Sequence, residues 1–312
     1  MNYRYFRFIS LKREKKLKRI FVSLFVCNWI MSFGAGSQAK EPFSVFVSIV
    51  PQKYFVQKIG GNLVDVSVMI EAGASPATYE PKSNQMVALV RSKIYFAIGV
   101  PFEGTWLKKI VTANPEMLVV HTDKGIEKIP MATPDNNGKN NQHPQKGHFH
   151  GILDPHIWLS PPLVKIQALN ILEAFLKIDP AHQRFYEANY KKFIKELDEI
   201  DAQLKSIFKG KEDLEFMVFH PAWGYFAHAY GLKQVPVEIE GKHPKPSQLK
   251  ELIEHAKERG IKVIFVQPQF STKNAETIAK AISGEIVFAN PLAEDWGNNL
   301  LQQAKKFKSA LR

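Results

Sequence analysis

The sequence predicts an α/β fold made of two Rossmann-like lobes with parallel sheets, joined by one long rigid helix. Two observations carry this prediction. Short β-rich runs alternate with helical runs in both halves of the chain, which is the pattern of parallel α/β sheets. Between the two halves lies the strongest helical pattern in the sequence.

The composition admits a large core and excludes several functions. The chain has 312 residues, of which 45% are hydrophobic, and a net charge of +12, so it has apolar material for one full-sized core or two. Before residue 40, eight Lys or Arg face a single acid. The rest has no basic block, which predicts no nucleic-acid partner. The only cysteine, Cys27, lies in the same stretch, which excludes disulfides and thiolate sites elsewhere.

Residues 1–39 have the organisation of a secretory signal peptide. A basic run precedes fourteen apolar residues, Ile20–Phe33, and Ser37 and Ala39 suit the −3 and −1 positions of cleavage. The apolar stretch is shorter than the roughly 20 residues that a spanning helix needs, which argues against the alternative of a retained anchor. We therefore expect a mature chain that begins at Lys40 and works in the periplasm or at the extracytoplasmic surface.

Residues 40–178 predict the first α/β lobe. We place strands at Ser44–Val50, Val64–Ile70, Ile94–Gly99 and Met117–His121, and helices near Tyr54–Ile59, Ser83–Val90, Phe102–Ile110 and from about Pro161. The segment 133–151 (TPDNNGKNNQHPQKGHFHG) is polar, rich in Asn and Gly and without periodicity, which predicts a mobile surface loop. This loop carries His143, His148 and His150.

Residues 179–210 predict the linking helix. Asp179 suits its N-cap and Pro180 its first position, and apolar residues recur at helical spacing up to Gly210. A helix of about 30 residues would be about 45 Å long. This length favours a spacer between lobes, although a long core helix of one domain fits the same apolar stripe.

Residues 211–312 predict the second α/β lobe. We place strands at Glu215–Phe219, Gln234–Glu238, Val263–Gln267 and Ile286–Ala289, and helices at Ala222–Tyr230, Pro246–Arg259, Asn274–Ile282 and Glu294–Leu311. The order of elements repeats that of the first lobe, so we expect a second parallel sheet.

Candidate binding residues follow the strands, because ligands of open α/β sheets bind beyond the carboxyl ends of the strands. His220, Gln267 and Asn290 come at or just after three strands of the second lobe, and Glu80 lies in a turn after the second strand of the first. His156 precedes the helix that starts near Pro161.

Five of the ten histidines are simply explained as hydrogen-bonded structural residues: His121, His182, His228, His243 and His255. His156 and His220 differ because Pro and Trp flank each of them in a turn at the mouth of a lobe. Neutral imidazole is a common protein ligand for zinc. These two histidines are therefore candidate metal ligands.

Five motifs extend this hypothesis. They occur in the order GASPATYEP (73–81), DPHIWLSPP (154–162), FHPAWGYFA (219–227), EIEGKHPKPSQL (238–249) and VIFVQPQFS (263–271). Together they resemble the zinc/manganese-type solute-binding proteins of bacterial ABC transporters, over essentially Phe43 to Leu311.

The resemblance implies a divalent ion held between two α/β lobes, delivery of that ion to a membrane permease, and a His-rich mobile loop. It also implies that His156 and His220 occupy ligand positions. The chain departs from the family pattern at Ala77, where many members have histidine, and at Asn290, where many have aspartate.

The departures leave two strong ligands, whereas zinc normally takes about four. The rest could come from His150 or His148, from Glu80, from the amide oxygens of Gln267 or Asn290, or from water. Alternatively, the site has lost high affinity or changed its substrate. The histidines favour zinc over manganese, which prefers oxygen ligands.

Two other functions remain open at this point. In a metal-dependent hydrolase, His156 and His220 would hold zinc while Glu80 or Glu238 activates water, but the sequence has no HExxH, GxSxG or glycine-rich phosphate motif. We therefore expect that the protein is not an enzyme. A metal buffer or adhesin of the same fold would have no transport role. The favoured interpretation is a monomeric zinc-binding protein whose partner is an ABC permease.

Overall fold

The computed structural model describes residues 41–133, 152–238 and 244–311. The predicted signal peptide and mature N-terminus, Lys40, lie outside these ranges, as do His143, His148, His150 and His243.

The first half of the described chain forms a parallel four-stranded sheet. Its elements are β1 (Phe43–Val47), α1 (Val50–Gly60), β2 (Val64–Val68), α2 (Ser83–Leu89), β3 (Ile94–Ala97), α3 (Pro101–Ala113) and β4 (Leu118–His121). The strand order is β2-β1-β3-β4, with Phe43 opposite Val64 and Val45 opposite Ile94.

Two helices then lead to a second sheet of the same topology. The helices are α4 (Pro161–Ile178) and α5 (Gln183–Phe208). The second sheet and its helices comprise β5 (Glu215–Val218), α6 (Gly224–Ala229), β6 (Lys233–Pro236), α7 (Pro246–Glu258), β7 (Val263–Val266), α8 (Lys273–Ala281), β8 (Glu285–Phe288) and α9 (Trp296–Ala310). Its parallel strands have the order β6-β5-β7-β8, so the predicted two-lobed α/β fold is confirmed.

The first predicted strand is too long at its carboxyl end. We expected Ser44–Val50, but β1 ends at Val47 and Val50 already begins α1. Pro51 lies in the first turn of that helix, where its fixed φ suits the helix and its missing N–H costs nothing. The apolar residues run across this boundary without a change in composition, so their pattern did not reveal it.

The long helix begins later than predicted. Pro180–His182 form a separate 3₁₀ turn, and α5 starts at Gln183. Asp179 makes no side-chain cap hydrogen bond. Instead its Oδ2 accepts the Tyr186 hydroxyl proton at 2.8 Å and lies 2.7 Å from Nδ1 of His182. The carboxylate therefore ties the 3₁₀ turn to the helix that follows it.

Helix α5 is part of the core as well as a connection. Its 26 residues correspond to about 39 Å. It packs against α1, α4 and α9, through a buried face made of Tyr186, Phe193, Leu197, Ile200, Leu204 and Phe208. The helix is therefore both a connection between the two sheets and a buried core helix, so both interpretations of its apolar stripe apply.

The second sheet is covered on both faces, and each face belongs to a different apolar cluster. Phe216, Val218 and Phe265 belong to a large cluster that also contains the strands of the first sheet. Their neighbours Met217 and Ile264 point to the other face, because side chains alternate along a strand. That face packs in a smaller cluster with residues of α7 and α8.

The domain boundaries at residues 178 and 210 stay a prediction.

Within the ranges that the structure describes, no helix is both long and apolar enough to cross a membrane.

Candidate metal centre

His156 is held in a rigid turn between β4 and α4. It precedes a 3₁₀ turn, Ile157–Leu159, that leads directly into α4. Asp154 Oδ1 accepts the backbone N–H of His156 at 2.9 Å and lies 2.7 Å from its Nδ1. The ring also contacts Trp158, with centroids 5.1 Å apart. Because Nδ1 is occupied, Nε2 is the nitrogen left for a metal ion.

His220 lies two residues after β5, at the point where the strand order of the second sheet reverses between β5 and β7. Its Nδ1 lies 2.6 Å from Oε2 of Glu238. The ring stacks on Phe270, with centroids 4.9 Å apart and planes inclined by 21°. Again the hydrogen bond at Nδ1 leaves Nε2 available.

The structure brings these two histidines together. Their ring centroids are 5.2 Å apart and their planes are inclined by 71°. Two imidazoles bound to one tetrahedral zinc, with Zn–N of about 2.0–2.1 Å, have centroids about 5 Å apart. The observed separation therefore fits a shared ion.

Burial keeps His156 ready for a metal. Desolvation lowers the pKa of His156, and the nearby Asp154 carboxylate only partly offsets this effect. The neutral ring, which is the form that binds metal, is therefore favoured at neutral pH.

Each histidine has a buried carboxylate on its Nδ1. Asp154 is 1% exposed and Glu238 is 6% exposed. Carboxylates in this position fix the orientation of a metal-binding imidazole and make it more basic. This role of Asp154 is not among the predictions from the sequence, which assign Glu238 only as the possible base of a hydrolase. The spacing Asp-Pro-His and the position of Glu238 just after β6 were the available signals.

The pairing also bears on the hydrolase alternative. The Glu238 carboxylate is hydrogen-bonded to His220, so it is not the free general base that a metal-dependent hydrolase requires.

The other candidate ligands lie apart from the pair or are already engaged. Among the described residues, no third His, Cys, Asp or Glu completes a metal-binding group, and Glu80 lies exposed in its turn. Gln267 Oε1 accepts the backbone N–H of His220 at 3.2 Å, while its Nε2 donates to the carbonyl of His220 at 2.6 Å. Gln267 therefore positions His220.

Asn290 and Ala77 occupy the two positions where the chain departs from the family pattern. Asn290 Oδ1 accepts the backbone N–H of Leu292 at 3.0 Å, which stabilises a turn. Ala77 is exposed, and its backbone N–H donates to the Ser75 hydroxyl at 3.3 Å.

Two of the histidines interpreted as structural are hydrogen-bonded in the structure. His182 pairs with Asp179, and His255 Nε2 lies 2.9 Å from Oε2 of Glu215.

Two α/β lobes with a histidine pair between them define a metal-type solute-binding protein. The chain belongs to the ZnuA family, described as zinc-uptake complex component A, periplasmic, whose model matches residues 45–310. It is 28% identical to the high-affinity zinc uptake system protein ZnuA of Bacillus subtilis (strain 168), over 87% of this chain and 85% of that protein.

Two further comparisons also give zinc-type binding proteins. The zinc-binding protein AdcA of Streptococcus pyogenes is 26% identical over 90% of this chain, which spans only 56% of AdcA. A crystal structure of ZnuA superimposes with a TM-score of 0.78 at 40% identity, covering 86% of this chain and 99% of that one.

Proposed function

We propose that this chain binds a zinc ion through Nε2 of His156 and His220 outside the cytoplasm and delivers it to an ABC permease. The observation that carries the proposal is the pair of imidazoles at 5.2 Å, each with a carboxylate behind it. The relatives named for zinc uptake and zinc binding support the choice of metal and of a transport role over catalysis.

The charges around the pair suit a divalent cation. The two imidazoles are neutral when they bind metal, and Asp154 and Glu238 place two carboxylates directly behind them. A divalent ion would balance that charge. Manganese fits less well, since it prefers oxygen ligands and the two ligands proposed here are nitrogen.

The direct test replaces both histidines with alanine. We expect zinc affinity, measured by competition with a chelator, to fall by at least about 100-fold, which is the upper end for loss of an outer partner alone. His255→Ala is the matched control, because His255 also pairs with a glutamate but lies outside the pair. Wild-type zinc affinity in the double variant would refute the proposal.

The loop supplies the proposed third ligand. Its ends are held together by an antiparallel bridge between Pro130 and Leu153, and the N–H of Asp154 donates to the carbonyl of Ile129 at 2.8 Å. Leu153 precedes His156 by only three residues in the chain, so we propose that His148 or His150 completes the zinc site. Glu80, the amide oxygens of Gln267 and Asn290, and water remain the other candidates.

This part of the proposal has its own variant. Replacing His148 and His150 with glutamine keeps the loop length, and we expect it to lower zinc affinity without abolishing it. Unchanged zinc affinity would mean that the remaining ligands come from Glu80, Gln267, Asn290 or water.

Export and oligomeric state belong to the same proposal. We propose that residues 1–39 are removed on export and that the mature chain is a monomer. Mass spectrometry of the exported protein should give Lys40 as its first residue, and sedimentation should give the mass of one chain. A retained Ile20–Phe33 segment would contradict the first expectation.

A further inference from the structure

One buried tyrosine of the second lobe is hydrogen-bonded to the main chain of the segment that bears His156. Tyr225 lies in α6, five residues after His220 on the same stretch of chain, and is 4% exposed. Its hydroxyl accepts the backbone N–H of Ile129 at 3.1 Å and donates to the backbone carbonyl of Asp154 at 2.9 Å. Both of its partners belong to the segment of the first lobe that leads to His156.

The two partners are also bonded to each other. The N–H of Asp154 donates to the carbonyl of Ile129, so the tyrosine hydroxyl closes a three-way junction of main-chain groups. Asp154 is in turn the residue whose carboxylate orients His156. A single side chain of the second lobe is thus connected through Asp154 to the ring of His156.

Gly224 allows this close approach. A Cβ atom at that position would lie 2.6 Å from Oδ2 of Asp154 and 3.7 Å from Cδ1 of Ile129. The backbone of α6 therefore rests directly against the Asp154 carboxylate. Oδ2 itself is buried and has no hydrogen-bond partner among the described residues, so on that side the carboxylate is limited by packing against Gly224 and not by a hydrogen bond.

We propose that Tyr225, with Gly224 beside it, is a positioning residue that sets the separation of His156 and His220. This inference rests on the proposed zinc function and deepens it. The segment that contains His220 therefore also contains the side chain that sets the distance to His156. A change of a few tenths of an ångström at the junction would move Nε2 of His156 relative to the narrow range of Zn–N distances.

The test is Tyr225→Phe, which keeps the ring and removes both hydrogen bonds. We expect zinc affinity to fall by about 10-fold or more, as for other outer residues of metal sites. We also expect the visible spectrum of the cobalt-loaded protein to change, because its bands report ligand geometry.

Tyr230→Phe is the matched control. Tyr230 is also buried, and its hydroxyl donates to Oδ1 of Asp201 at 3.0 Å on helix α5, away from the histidines. Both variants lose a buried hydroxyl, so both should lower the melting temperature, but only Tyr225→Phe should change zinc affinity and the cobalt spectrum. Equal effects of the two variants on the metal would overturn the inference.

A second variant covers the case in which Tyr225→Phe does not fold. Gly224→Ala places a methyl group against Oδ2 of Asp154, which must then shift. Because that atom is the end of a side chain and not backbone, we expect the variant to fold with the carboxylate displaced and to bind zinc more weakly. Wild-type affinity in Gly224→Ala would overturn the inference. A wild-type chain that binds no zinc would instead overturn the proposed function itself.

Discussion

Asp154 and Glu238 form equivalent contacts with the two histidines from opposite lobes. Each accepts a short hydrogen bond at Nδ1 and each is buried. Neither carboxylate needs to touch the ion to affect its binding. Each one controls the orientation and the basicity of the imidazole that lies between the carboxylate and the ion.

Removing either charge should weaken zinc binding while the ring remains in place. Asp154→Asn and Glu238→Gln keep a hydrogen-bond acceptor of the same size, so we expect losses of about 10–100-fold in zinc affinity. Glu215→Gln is the control, since Glu215 makes the same kind of bond to His255 outside the pair. Calorimetric titration of the three variants measures the effect. Affinity that is equal in all three would contradict it.

The sequence predicted the two histidines as ligands but not the roles of their carboxylate partners. A strand end and a Pro-rich turn mark His156 and His220 as residues near a lobe mouth. The pairing of Glu238 with His220 depends instead on the adjacency of β5 and β6, which is a long-range contact. The hydrogen bonds between Gln267 and the His220 backbone likewise arise only because β5 and β7 lie side by side, so the sequence predicted Gln267 as a candidate ligand but not as a residue that positions His220.

At the scale of single elements, the start of α3 is built around a buried acid. Glu103 lies in the first turn of that helix. Its carboxylate accepts the Ser48 hydroxyl proton at 2.6 Å and the backbone N–H groups of Ile98 and Gly99 at 2.8 and 2.7 Å. It therefore joins the ends of β1 and β3 at the reversal of strand order in the first sheet.

Glu103 should give the stability of the protein a pH dependence of definite sign. Burial, the largest effect, raises the pKa of Glu103 above its usual range. The folded chain then keeps a proton that the unfolded chain releases, so this residue's contribution to the free energy of unfolding decreases as pH rises above about 4.3. The test is urea unfolding of the wild type and of Glu103→Gln at about pH 4 and about pH 8. The free energy of unfolding of the wild type, relative to that of the variant, should be smaller at the higher pH.

An exposed acid provides the comparison. Glu199 lies on the surface of α5, and Glu199→Gln should differ from wild type by a similar amount at both pH values. If Glu103→Gln behaves in the same way, burial does not control the protonation of Glu103.

The order and type of the elements followed from local pattern, whereas their ends did not. The strands and helices of both sheets lie within a few residues of their predicted positions, because apolar periodicity reports burial directly. The ends of β1 and the start of α5 depend on Pro51 and on the contacts of Asp179 with His182 and Tyr186. These effects belong to single side chains, and periodicity averages over them.

At the scale of the whole molecule, the two sheets share one apolar core. The large cluster contains Val45 and Phe96 of the first sheet as well as Phe216 and Phe265 of the second. Two indole hydrogen bonds reinforce it, from Trp158 to the carbonyl of Pro291 and from Trp296 to the carbonyl of Trp158, both at 2.8 Å. A lobe cannot unfold alone without exposing part of this core.

We therefore expect one cooperative thermal transition that zinc shifts as a unit. Free zinc at about 100 times its dissociation constant should stabilise the fold by about 2.7 kcal/mol. Calorimetry with and without zinc gives both quantities, and the double variant with alanine at His156 and His220 should lose the shift. Two separate transitions, or a shift confined to one of them, would contradict this expectation.

The bridge between Pro130 and Leu153 has a practical consequence for engineering. The bridge and the hydrogen bond from the N–H of Asp154 to the carbonyl of Ile129 join the two described ends of the chain on either side of residues 134–151. We therefore expect the fold to tolerate a change in the length of the chain between them, because the entropy of closing a loop grows only slowly with its length. A fluorescent reporter inserted between these flanking residues would be joined to the segment that leads to His156, so we expect its emission to change when zinc binds.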